Sequence, residues 1–281
     1  MSLLVVGSLH LDVVLRAPHL PGLDETVTGS AVNYVFGGKG GNQAVAAARL
    51  GAEVHFAGRA GSDGFGDMIR QTLAASGVEL SQLQHDEGPS GMSAAIVDAK
   101  GYYGAVIVSA ANLNIVASGV VVPDGTSLVV LQNEIPEGVN LGVARKAKEI
   151  GAKVWLNAAP ARPLPDALVA ALDLLIVNRV EAEFYASILP AVDTLTTLGG
   201  EGVSYRGDHF PAHQVDVIST HGAGDMFVGA LAAQVVRGST MMSAIGFAQA
   251  AAALHVASRM EAREGLTQDR VCAFLAYHTS R

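Results

Sequence analysis

A single cysteine stands in the 281 residues, so an internal disulfide and a cysteine-based zinc site are both excluded. That residue, Cys272, lies in "DRVCAFLAYH", whose helical apolar spacing predicts a packed side chain rather than a reactive thiol. Basic residues are also short: 18 Lys and Arg face 26 Asp and Glu, for a net charge of −8. No basic block offers a footprint for nucleic acid. An anionic substrate must then find local help, from helix N-termini or a divalent ion. The opening "MSLLVVGSLHLDVV" lacks a basic stretch followed by an apolar one and a small-residue cleavage site. No apolar run reaches membrane-spanning length without polar breaks, and the expectation is a cytoplasmic protein without membrane partners. Internal repeats and low-complexity linkers are absent too.

What is present is alternation. "LLVV" (3–6), "EVHFAG" (53–58), "SLVVLQ" (127–132), "KVWLN" (153–157), "LDLLIVN" (172–178) and "TLTTLG" (194–199) are short apolar runs of the kind buried in a parallel sheet. Helical patterns separate them, at 41–51, 64–77, 137–151 and 165–172, and the last third is helical over 224–238, 240–258 and 267–278. This predicts a doubly wound α/β fold with a mostly parallel sheet. Two stretches interrupt it, 11–37 and 91–112, and read as antiparallel strands with Pro-Gly or Lys-Gly turns. They predict a small β-sheet beside an α/β core made of 1–10, 38–90 and 113–281.

The sharpest local signal is "STHGAGDMFVGAL" (219–231). Gly222 and Gly224 let an anion approach the backbone N–H groups, and the helix that starts there adds its positive end. Asp225 beside such a pocket suits a base that takes a proton from a hydroxyl attacking a phosphoryl group. Its plainer alternative is a helix cap or dipole partner. The other glycine clusters are weak alone. "GGKGGNQ" (37–43) has Gly40 after Lys39 where a P-loop needs Ser or Thr, and "GSLHLD" (7–12) is not a dinucleotide-binding turn. Walker-type NTPases and dinucleotide-binding dehydrogenases are therefore disfavoured. His55, His209 and His213 show no metal-ligand grouping and read as surface or packing residues.

In order along the chain, "GSLHLD" (7–12), "GGKGGNQAVAAARLGA" (37–52), "GRAGSDGFG" (58–66), "LQNEIP" (131–136), "LNAAPARPLP" (156–165), "NRVEAE" (178–183), "TLGGEG" (197–202) and "HGAGDMFVGAL" (221–231) make a fuller pattern. It resembles the ribokinase (PfkB) family of carbohydrate kinases over nearly the whole length. The resemblance implies a ribokinase-like doubly wound sheet with a small β-sheet lid over 11–37 and 91–112. It implies an ATP-dependent kinase that places the γ-phosphate on a primary hydroxyl of ribose or a related sugar. It also implies Asp225 as catalytic base and the amides of Gly222, Ala223 and Gly224 as an anion hole. His10, Asp12, Gly38, Lys39, Asn42 and Glu134 fall on sugar-binding positions. Asn42 as a helix cap, Asp12 as a strand end and Glu134 as a loop acid are their plain alternatives. Asn178 and Glu181 match the element that holds a magnesium–phosphate water network, so Glu181 meets Mg²⁺ through bound water. Thr197 and Gly199 match positions at the nucleotide phosphates, and Ala248, Ala251 and Ala252 are expected to wall the adenine. Family members often dimerise through the lid.

Three departures bear on function. Ser219, Thr220 and His221 replace the usual Asp-Thr-Thr before the GAGD step, and the partner loop of the monovalent-cation site reads "MEARE" (260–264), which argues against potassium activation. The segment after "NRVEAE" is short. His10 replaces an asparagine that commonly touches the sugar, so the sugar preferred is open. A nucleoside kinase of the same family and a catalytically weak sugar- or nucleotide-binding protein are the alternatives.

Overall fold

The computed structural model describes residues 1–279. Its first third contains β1 (Ser2–Val6), β2 (His10–Arg16), β3 (Ala31–Gly37), α1 (Lys39–Arg49), β4 (Val54–Gly61), α2 (Gly64–Ala75) and β5 (Glu79–Asp86). Then come β6 (Met92–Val97), β7 (Tyr103–Val108), β8 (Thr126–Gln132), α3 (Glu137–Glu149), β9 (Lys153–Asn157), α4 (Asp166–Val169), β10 (Leu174–Asn178) and α5 (Arg179–Phe184). The chain continues through β11 (Thr194–Thr197), β12 (Val203–Tyr205), β13 (Asp208–Phe210), α6 (Ala223–Val236), α7 (Met241–Val256) and α8 (Gln268–Thr279).

Nine strands form one sheet in the order β13-β12-β11-β10-β9-β8-β1-β4-β5. All neighbours are parallel except β11–β12 and β12–β13. The apolar runs sort by the two-residue period of a strand. Leu3, Val5, Val130 and Ile176 face one layer with Phe227, Leu231 and Ile245, while Leu4, Val6, Leu131 and Val177 face the other with Val139, Val143 and Leu168. Each fully buried aliphatic side chain contributes about 1.5–3 kcal/mol of transfer free energy, set against the entropy of ordering it. Nearly the whole circumference of α6 and α7 is buried, as expected of helices apolar on all sides.

The second sheet has the order β3-β2-β6-β7. β6 and β7 form the expected hairpin, its turn closed by Asp98 accepting from the N–H groups of Lys100 and Tyr102. β2 and β3 also pair antiparallel, but residues 17–30 between them form a long loop, so the Pro-Gly pair makes no hairpin turn. β2 and β6 pair in parallel, a relation between distant segments that local turn signals do not carry. Three strands of the large sheet were not expected. β5 is an edge strand with a largely polar, half-exposed sequence, and β12 and β13 have three residues each. Cys272, expected to be packed, is exposed on α8; the neighbouring Val271 takes the buried position.

Candidate active site

The direction of winding reverses between β1 and β8: the chain adds β4 and β5 on one side of β1, and β9 to β11 beyond β8. Open α/β sheets leave a crevice at the carboxyl ends of the strands at such a point. Here the crevice is bridged by Glu134, which follows β8. Its carboxylate accepts from Ser8 Oγ, after β1, and from the backbone N–H of Lys39 at 2.9 Å. Glu134 is therefore a fixed acceptor rather than a solvated loop acid. Gly38 occupies the N-cap position of α1, and Asp12 on β2 accepts from Ser93 Oγ of β6 at 2.6 Å. His10, paired with Gly37 across the small sheet, is buried with its Nε2 unpartnered.

Asp225 lies in the first turn of α6, and its side chain does not cap that helix. Instead it turns to α1. Oδ2 accepts from Asn42 Nδ2 at 3.1 Å and Oδ1 from Gln43 Nε2 at 3.0 Å. Asn42 is thus a donor to the acid, not a cap. The approach of the two helices depends on Gly229, one turn after Asp225. A Cβ there would lie 2.6 Å from both Ala46 Cβ and the Gln43 carbonyl oxygen. Gln43 is 1 % exposed and was not singled out from the sequence. It also donates to Asn157 Oδ1 at 3.0 Å and accepts from Gln132 Nε2 at 2.8 Å, tying Asp225 to the ends of β8 and β9. Only its position beside Asn42 in the "GGKGGNQ" block hinted at this.

Burial pushes the Asp225 carboxyl above its ordinary value, opposed first by the Lys39 ammonium and then by the Gln43 and Asn42 hydrogen bonds. A carboxyl raised by burial yet held ionisable by donors is suited to a general base near neutral pH. Glu181 shows the same pattern. Burial raises it, and the Asn178 N–H and Lys39 oppose the rise. Asn178 and Glu181 form a reciprocal capping box on α5, with Glu181 N–H to Asn178 Oδ1 at 2.9 Å and Asn178 N–H to Glu181 Oε2 at 2.8 Å. The cap engages one carboxylate oxygen and leaves Oε1 for the pocket. No cluster of three metal-ligating side chains exists among the described residues. Glu181, a single carboxylate beside Asn178, would suit contact through water with a magnesium ion carried on phosphates.

Lys39, Glu181, Asn178, Thr197, Thr220, Gly222, Ala223, Gly224 and Asp225 line one pocket. Thr197, Thr220, Ala223 and Gly224 also line a second, more apolar one, reached past Gly199 and closed by Val215, Val217 and Phe227. The two form a continuous trough along the start of α6. Gly222 takes a left-handed φ of 75° as N-cap, a conformation that favours glycine, and a Cβ there would lie 3.2 Å from His255 Nε2.

Among the three expected wall alanines, Ala252 lines the apolar pocket. Ala248 and Ala251 are 0 % exposed, in the core. The α7 face turned to the pocket is Gln249, Ala252, Ala253 and Val256, a helical i, i+3, i+4, i+7 set. In a helix apolar all round, composition does not mark the ligand face, and a one-residue error rotates it by about 100°. His213, read as ordinary, also lines this pocket.

A family model for the pfkB family carbohydrate kinases matches residues 1–266. The chain is 33 % identical to the ribokinase of Bacillus subtilis over 273 residues, which cover 92 % of this chain and 93 % of that protein. It is 32 % identical to the ribokinase of Haemophilus influenzae, covering 98 % and 99 %. Among solved structures, Arabidopsis thaliana ribokinase complexed with ribose and ATP is similar with a TM-score of 0.87 at 27 % identity, covering 98 % of each chain.

Proposed function

The chain belongs to the pfkB family of carbohydrate kinases and is a sugar kinase; from that premise we propose that it transfers the γ-phosphoryl group of ATP to a primary hydroxyl of ribose or a closely related sugar. The observation that carries this reading is the place of Asp225, where the phosphate trough meets α1, with Asn42, Gln43 and Lys39 around its carboxylate. The sugar lies in the switch-point crevice among His10, Asp12, Gly38, Lys39, Asn42 and Glu134, a set rich in both donors and acceptors for hydroxyl groups. The purine lies in the apolar pocket against Ala252, and the phosphates run past Thr197 and Gly199 toward the N-terminus of α6.

Asp225 takes the proton of the attacking hydroxyl as its oxygen bonds to the γ-phosphorus and the bond from that phosphorus to the β,γ-bridging oxygen breaks, releasing ADP, and the N–H groups of Gly222, Ala223 and Gly224 meet the charge on the transferring phosphoryl. Glu181 and Asn178 would hold, through water, a magnesium ion that would supply charge neutralisation on the nucleotide phosphates. The small sheet acts as a lid over the sugar through Asp12. On the face opposite Asp12 the sheet exposes Val32 and Val106, about half to two-thirds exposed, and a second copy of the chain covers this apolar face. The enzyme is expected in the cytoplasm. No helix among the described residues is long and apolar enough to cross a membrane.

The test is ADP release with MgATP across ribose, deoxyribose, other pentoses, hexoses and nucleosides. Ribose-dependent turnover is the expected result. A response to nucleosides alone would replace the substrate, and silence on every compound would refute the proposal.

A further inference from the structure

Arg263 lies in the short 3-10 segment Met260–Gly265. It is 8 % exposed and makes no ion pair among the described residues. Its guanidinium is spent on three neutral acceptors: Nη2 donates to Ser219 O at 3.0 Å, Nη1 to His221 O at 3.1 Å and Nε to Ser258 O at 3.3 Å. Ser219 and His221 stand immediately before the Gly222 N-cap of α6, and Ser258 follows α7. Burying a cation without a counter-ion is costly, and among the described residues the groups that accept from this cation, beside the anion-binding end of α6, are neutral carbonyls. Burial pulls its pKa down, but a guanidinium starts far enough above neutrality to stay charged.

The orientation of the peptides gives this charge a task. In a trans peptide the C=O and the following N–H point in opposite directions. The carbonyls of Ser219 and His221 turned to Arg263 therefore turn the N–H groups of Thr220 and Gly222 away from it, and both residues line the phosphate trough. His255 adds a second donor, Nε2–H to His221 O at 2.8 Å. Burial holds its imidazole neutral, with a pKa lowered to about 4, so it brings a dipole but no charge.

We propose that Arg263 is a positioning residue for phosphoryl transfer, a built-in cation seated on a cage of backbone carbonyls that aims the amides before α6 at the phosphate and makes an added monovalent ion unnecessary. Three carbonyl oxygens converging from two segments are a donor set suited to a hard cation; here the guanidinium occupies it. The inference rests on the reading of Gly222–Gly224 as the anion hole.

The experiment measures sugar-dependent ADP release by the full chain at fixed ionic strength, with potassium or a bulky organic cation as the salt. For the wild type the expected change on adding potassium is less than about twofold. Arg263→Ala is expected to lower kcat by about tenfold or more with sugar KM little changed. Millimolar guanidinium or potassium should restore part of that loss. A wild type activated severalfold by potassium overturns the inference. So does a folded Arg263→Ala with wild-type kcat, or one whose loss no cation relieves. Where the alanine variant does not fold, Arg263→Lys decides: lowered kcat with unchanged sugar KM supports the role, and wild-type kcat overturns it. Asp225→Asn run in parallel separates the two readings, because full turnover by that variant refutes the active-site assignment itself, whatever Arg263 does.

Discussion

Replacing Gln43 by leucine removes one donor from Asp225 while leaving every atom of the proposed base in place. Gln43 Nε2 meets Oδ1 at 3.0 Å, and Asn42 and Lys39 remain. A hydrogen bond to a charged group is worth about 1.5–3 kcal/mol, which at about 1.4 kcal/mol per unit raises the carboxyl by roughly 1–2 pH units. A general base works ionised, so activity fails as pH falls through its pKa. The acid limb of kcat/KM should therefore move to higher pH by roughly 1–2 units, with most of the rate recovered on the alkaline side. The same substitution strands Gln132 Nε2 and Asn157 Oδ1, both now paired with Gln43. We expect a stability loss of about 1–3 kcal/mol for each buried group left unpaired, so the profile is to be recorded well below the variant's melting temperature. A uniform fall in rate with an unmoved acid limb would refute the claim that these amides set the ionisation of the proposed catalytic base.

Other consequences follow from the same geometry. Gly229→Val places carbon atoms against Ala46 and the Gln43 backbone; we expect a loss of about 1–3 kcal/mol in urea unfolding together with lowered kcat, because the α1–α6 approach carries Asp225 to its donors. Ala252→Leu should raise the KM for ATP and leave that for sugar unchanged, since only Ala252 among the three expected alanines lines the apolar pocket; an unaltered ATP KM would contradict the pocket assignment. Asp225→Asn should raise the melting temperature at pH 8. The folded-state pKa of Asp225 is raised, so the stability of its neutral form is full at low pH and lost as pH rises through that pKa. The gain from asparagine should therefore shrink in acid, and equal melting curves at pH 8 would count against a strained buried charge.

Most of the sheet was legible because the parallel strands are short apolar runs, and their burial on both faces leaves a composition signal. β5, β12 and β13 escaped it because edge strands and three-residue strands bury little, and the β2–β6 pairing escaped because register between distant segments is not written in local turns. At the site, the helix start that carries Asp225 was legible from its flanking glycines, whereas Asn178 and Glu181 entered through the family resemblance and their reciprocal cap is seen only in the structure. Gln43 and Arg263 were not, since an amide or a guanidinium acquires its role only from partners more than forty residues away. Ala248 and Ala251 were misplaced for a third reason: α7 is apolar on every side, so its ligand face is set by packing.

The central claim is tested most directly by kcat and sugar affinity for wild type and Asp225→Asn under saturating MgATP. The account requires turnover to fall by at least about a hundredfold with sugar binding nearly unchanged. An asparagine variant that turns over within a few-fold of the wild type would contradict it.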